Sequence, residues 1–426
     1  MTGGKITKQI SFCLLTFLLG FAAGGIVWIL LQIMQVGIEL LWTALPGALH
    51  ISADFPGVLL YNLIVCFMGA IFIALVQKHY GPLPDTMEEV MGRLKLQGSY
   101  PHDKLHRVAV AALLPLIFGG VLGPEAGLTG LIVGICCWIG DNLRYRNEQI
   151  AALAEAGFAA VVGVVFGSPL FGIAHALEPD DRTEHFRRKL TEKRARILIY
   201  CCGVLGGMLA FYLLGTLTGR SAGLPRFHAH HAVGLDQWMW LLPLLAAGIL
   251  FALFYLTIQK LTRAAADKLS GHFFICSFIA AAAVAIAGAF LPMSMFSGEH
   301  QLKVLIDSWQ STSPTEMILT AIVKLALVNL CINFGWRGGS IFPIIFSGSL
   351  LGYTFALIVG MDGAFAVAML VASMYAYIIR KPVAVVMILL LCFPVTYILP
   401  IAVCAVIASK IPTPFVHKPI DRPSDH

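Results

Sequence analysis

Charge is what this chain has least of: Asp, Glu, Lys and Arg make up 12% of its 426 residues, against 58% hydrophobic ones. A soluble domain carries roughly 25% charged residues, so a soluble enzyme or free-standing binding module is excluded. The formal surplus of six positive charges is spread too thinly for a nucleic-acid surface. Alternation of apolar and polar residues is missing too. The apolar runs are continuous, which excludes a membrane β-barrel. The ten cysteines contain no C-x-x-C pair and lie almost wholly in apolar runs, so they read as packing residues. No H-E-x-x-H, paired-Asp or Ser–His arrangement lies at membrane depth, which leaves an intramembrane enzyme without its machinery; His175 reads as a packed or pore-edge residue. His228, His230 and His231 crowd one loop, but no carboxylate or cysteine completes a ligand set, so neither metal nor cofactor is expected.

What is present makes an all-α polytopic membrane protein. Several runs exceed the ~20 apolar residues that cross a bilayer. The first, Ile10 to Met34, is too long for a cleaved signal peptide and is expected to stay as a helix. The longest polar stretch of the first half, 78–107, opens with GPLP at 81–84, a turn, followed by TMEE at 86–89, an acidic first helical turn. The strongest charge run, 178–196, has an excess of Lys and Arg. With Lys5 and Lys8, it predicts that this loop and the N-terminus face the cytoplasm. A single transmembrane domain is expected, with halves at 1–196 and 197–412 and a polar cytoplasmic tail at 413–426.

Two interruptions organise the chain. In LGPEAGLTG, 122–130, a lone acid, Glu125, stands between glycines and a proline inside membrane-grade sequence. An ionisable group there marks a substrate or proton pathway. Proline suits a helix start, and a helix starting here aims free N–H groups and the positive end of its dipole at whatever approaches Glu125. That is the makeup of an anion site, with a carboxylate able to take the anion's place. The second interruption is FGWRGGSIFP, 334–343, whose Gly338 lies 215 residues after Gly123, about half the chain. Two such breaks in corresponding positions point to a transporter's midplane site. Arg337 sits near, on a side chain long enough to snorkel away.

These residues resemble the CLC family of chloride channels and chloride/proton antiporters. GPEAG at 123–127 is similar to the family's glutamate-bearing stretch. AGFAAVVGVVFGSPLFGIAHALE at 156–178 resembles its Ala/Gly-rich helix and following turn. GGSIFP at 338–343 resembles Gly-x-Phe-x-Pro, and RKPVAVVMILLL at 380–391 with ILP at 398–400 resembles the last two helices. The resemblance implies two inverted halves of tilted, partly broken helices. It also implies a homodimer with one pore per subunit, both termini cytoplasmic, and residence in the cell membrane. Its cargo would be chloride or another small anion, with or without protons.

Residue by residue, Glu125 would be the gate and proton acceptor, and backbone amides at Ala126, Gly127, Ser340, Ile341 and Phe342 would line the anion path. The family's first signature, Gly-Ser-Gly-x-Pro, becomes YGPLP at 80–84, so Gly81, Pro82 and Leu83 offer backbone but no hydroxyl. Ile341 stands where the third signature has Phe. The expected place of the anion-contacting tyrosine is Val395, with Tyr397 two residues on. The inner proton-transfer glutamate maps to Pro179, which leaves Glu178, Asp180 and Asp181 as stand-ins. Channel and antiporter both stay open, as does fluoride. A proton- or cation-coupled transporter of an organic solute is the alternative from another class.

Overall fold

The structure, a computed structural model, describes residues 3–51, 54–103, 105–144, 147–166, 168, 170, 193–219, 225–227 and 234–414. Among the described residues, the longer helices are α1 (Gly3–Glu39), α2 (Phe55–Tyr80), α3 (Met87–Gln97), α4 (Leu105–Ile117), α5 (Glu125–Asn142), α6 (Asn147–Val165), α7 (Lys193–Thr218), α8 (Leu241–Lys268), α9 (Phe273–Phe290), α10 (Glu299–Ser308), α11 (Pro314–Asn333), α12 (Ile341–Val359), α13 (Gly363–Ile379), α14 (Pro382–Cys392) and α15 (Ile398–Lys410). Among the described residues, seven helices are long and apolar enough to cross a membrane. The protein is an integral membrane protein. Among the described residues there is no strand, only a single bridge between Gly123 and Gly339.

Close packing comes from small residues, because hydrocarbon gives apolar helices no reason of their own to associate. Gly20 and Gly24 of α1 meet Gly203 and Gly207 of α7, where an added Cβ would overlap the opposing backbone. Helices α1, α6 and α7 pack as one group, and α8, α13 and α15 as another. Helix α7, just after the boundary expected at residue 196, thus packs against α1 and α6.

Between the groups, α2 lies along α9, where the Ser277 hydroxyl donates to the Ala70 carbonyl at 3.0 Å. The chain turns back after α4, at Phe118 and Gly119, and α5 then runs antiparallel to α4: Gly127 faces Ala112, and Gly134 faces Leu105. The expected acidic turn at 86–89 is a capping box. The Thr86 hydroxyl accepts from the Glu89 amide, and the Glu89 carboxylate accepts from the Thr86 amide.

Candidate functional site

Both interruptions end by starting a helix in the same place. Glu125 is the first residue of α5 and Ile341 the first of α12. The two connections are held together by a reciprocal pair of backbone hydrogen bonds, Gly123 N–H to Gly339 C=O and the reverse, each 2.8 Å. Neither N-cap residue, Pro124 before α5 nor Ser340 before α12, caps its helix with its own side chain. Two positive helix ends therefore converge with their first amides left to a group from beyond their own N-caps.

The Glu125 carboxylate fills this junction. Its Oε1 accepts from the Ile341 amide at 2.8 Å, reaching from one break to the other. The residue is 1% exposed, and among the described residues its Oε2 has no hydrogen-bond partner. Glycine on both sides makes the room. A Cβ on Gly123 or on Gly339 would overlap the Glu125 carboxyl. An ionised carboxylate in so dry a place would be costly without such compensation. The two converging helix ends and the Ile341 amide offset part of the cost, and the bare Oε2 leaves the rest. The group is thus held, yet not locked.

The α2–α3 connection borders the second break. Gln77, at the end of α2, donates from its amide nitrogen to the Leu83 carbonyl at 3.1 Å and the Gly335 carbonyl at 2.9 Å. Arg337 donates to the Pro82 carbonyl at 3.1 Å and lies 3.4 Å from Glu89. Its charge is turned to this connection and to Glu89. Pro84 approaches α5 at Gly127, where an added Cβ would sit 3.7 Å from the proline ring. Behind the α12 start, Phe342 stacks on Phe166 with ring centroids 4.7 Å apart.

The structure therefore brings together Glu125, Ala126, Gly127, Ser340, Ile341 and Phe342, and sets Gly81, Pro82 and Leu83 beside the second break. It does not bring Tyr397 to them. The Tyr397 hydroxyl donates to Asp362 at 3.2 Å, and Asp362 caps α13 just beyond the far end of α12. Nineteen residues of α12 separate that end from Ile341, about 30 Å at 1.5 Å per residue. The expectation that Tyr397 contacts the anion is corrected: its phenol belongs to the α12–α13 corner. Val395, at the position the family pattern indicated, is 73% exposed. Glu178, Asp180 and Asp181, with His175 and the histidines at 228–231, lie outside the described residues.

Sequence reasoning passed over Lys324. This lysine is fully buried in α11 and donates to the carbonyls of Met293 at 3.0 Å, Ser294 at 3.4 Å and Met295 at 2.8 Å. Its ammonium also lies 4.7 Å from the Phe346 ring centre, just over a turn into α12. It ties the α9–α10 connection to the site's second helix. A lone lysine in an apolar run is the same signal that singled out Glu125. Gln77 and Trp336 carried no such signal. The Trp336 indole donates to the Ser277 hydroxyl at 2.9 Å and sets the depth of the second break.

Comparison with known proteins bears on the family and the fold. The family profile described as voltage gated chloride channel matches residues 69–412. YfeO of Shigella flexneri, named for ion transport, is 27% identical over 351 residues, covering 78% of this chain and 76% of that protein. YfeO of Escherichia coli O6:H1 aligns with the same identity and coverage. Among solved structures, a slow cyanobacterial Cl−/H+ antiporter superposes with a TM-score of 0.75 at 18% identity, covering 92% of this chain and 93% of that one. A CLC-type fluoride/proton antiporter gives 0.72 at 19%, covering 97% of each chain. At such identities the superpositions speak for the fold.

Proposed function

Because the chain belongs to the voltage gated chloride channel family, we propose that it carries chloride or a similar small anion across the membrane, past the α5 and α12 starts, with Glu125 as the gate. The carrying observation is the 2.8 Å hydrogen bond from the Ile341 amide to the Glu125 carboxylate. A donor set that holds a carboxylate oxygen offers the same contact to a halide.

Backbone amides and helix dipoles replace hydration without a fixed full charge in the path. An ion can then enter and still leave. Ionised, Glu125 competes for those donors and closes the path. Protonated, it loses that attraction and yields to the anion. The two superposed antiporters are named for chloride and for fluoride, and both ions fit a site made of backbone donors. The same reading puts the chain in the cell membrane as a homodimer with cytoplasmic termini.

The test is release of chloride and of fluoride from vesicles holding the purified protein, read with ion-selective electrodes. At least one ion should leave once the membrane potential is shunted. If neither moves while a labelled organic solute does, the reading is lost.

A further inference from the structure

Away from the gate, the α12–α13 corner borders a cavity of about 400 Å³, closed on its other side by the end of α10. Its floor is buried: Tyr353 of α12 is 3% exposed and Phe227 5%. Trp309, just past α10, stacks on Tyr353 with ring centroids 4.8 Å apart, and Phe227 lies 6.5 Å from Tyr353. Gly363, the first residue of α13, leaves room for that stack. A Cβ there would come to 2.9 Å from the Trp309 ring and 3.0 Å from the Tyr353 ring. Asp307 and Gln310, both exposed, form the rim.

Two polar groups of this cavity are unanswered. Among the described residues, the Tyr353 hydroxyl makes no hydrogen bond, and the Asp307 carboxylate has neither an ion-pair nor a hydrogen-bond partner. They lie near each other, since the charges of Asp307 and Asp362 both reach the Tyr353 hydroxyl. Asp362 is already committed. It accepts from the Phe365 amide at 2.9 Å, which answers the positive end of α13, and from the Tyr397 hydroxyl at 3.2 Å. No cationic side chain is among the described residues that line the cavity. Arg226, next to Phe227 in sequence, is exposed and is not one of them. Asp307 is therefore the uncompensated charge of the chamber.

We propose that this cavity binds a small organic cation, a primary ammonium carried on an apolar, ring-sized body. The ammonium N–H groups donate to the Asp307 carboxylate and the Tyr353 oxygen, and the body rests against Phe227 and Trp309. A small-molecule site holds about 300–1,000 Å³ within largely apolar walls and a few placed polar groups, which this chamber matches. Its negative charge repels the anions proposed to pass Ile341. A bare Ca²⁺ or Mg²⁺ ion needs roughly six oxygen ligands, and aromatic walls with one carboxylate do not supply them. Tyr353 lies twelve residues along α12 from Ile341, about 18 Å of axial rise. The site is thus separate from the anion path and does not depend on the transport reading.

The test is calorimetric titration of the purified protein in detergent, at fixed chloride, with phenethylammonium and with phenylacetate, a similar ring of opposite charge. The ammonium should bind at one site per chain, and phenylacetate should not. Asp307→Asn, at an exposed position where folding is undisturbed, should weaken ammonium binding by at least about tenfold, the loss of a charged hydrogen bond. Tyr353→Phe keeps the ring stack and should weaken it by about threefold. Asp267→Asn removes an exposed acid from the last turn of α8 and should leave binding unchanged. Equal binding of phenylacetate overturns the inference. So does ammonium binding that Asp307→Asn and Tyr353→Phe leave intact, and so does wild type that binds no ammonium.

Discussion

Replacing Gly339 with alanine puts a methyl group where the Glu125 carboxyl lies. The Cβ would overlap that carboxyl, so the closed arrangement cannot persist unchanged. The Gly339 backbone is outside the left-handed region, so alanine adds no strain of its own there. What is lost is the contact from the Ile341 amide, 2.8 Å in length. A hydrogen bond to a charged group contributes about 1.5–3 kcal/mol. At about 1.4 kcal/mol per factor of ten, the gate-closed state weakens by roughly 10- to 100-fold. Anion efflux at alkaline external pH, where ionised Glu125 should restrain wild type, should therefore rise toward its acidic value. Gly92→Ala is the control, since a Cβ there meets nothing within 4 Å. An efflux-versus-pH profile for Gly339→Ala that overlays both wild type and Gly92→Ala would refute the reasoning.

Two further predictions concern groups outside the gate itself. Lys324→Ala takes the lysine's hydrogen bonds from the Met293 and Ser294 carbonyls, at about 1–3 kcal/mol for each one left unpaired, while the Met295 carbonyl keeps the Gln301 amide at 3.0 Å. It should lower the unfolding temperature in detergent clearly, and a transition unmoved from wild type would mean the loop is held by other contacts. Tyr100→Phe removes a hydrogen bond that favours ionised Asp85. The carboxyl should then take up its proton at higher pH than in wild type, read as an upward shift of the Asp85 carboxyl infrared midpoint. A downward shift would contradict the hydrogen bond from that hydroxyl.

The parts of this fold legible in the sequence were those written in short patterns. Continuous apolar runs marked the spanning helices. The paired breaks at 122–130 and 334–343 marked where two helices start against each other, because a helix start needs only a few local residues. Glu125 stood out because an acid in an apolar run is costly. Lys324 met the same criterion and was equally readable.

The rest depended on tertiary approach. Nothing local to Gln77 says that its amide joins Leu83 to Gly335, and nothing near Tyr100 says that its phenol reaches Asp85 across fifteen positions. Tyr397 shows the reverse failure. Proximity to a family pattern suggested a role at the anion path, and a 3.2 Å bond to Asp362 gives it another place.

The measurement that bears most directly on the central claim is anion efflux as a function of external pH, for wild type and Glu125→Gln side by side. Glutamine keeps the size of the side chain but can neither ionise nor take up a proton. The account predicts that wild-type efflux climbs as external pH falls, while Glu125→Gln conducts at a rate that no longer depends on pH. A Glu125→Gln profile that still rises and falls with wild type would contradict it.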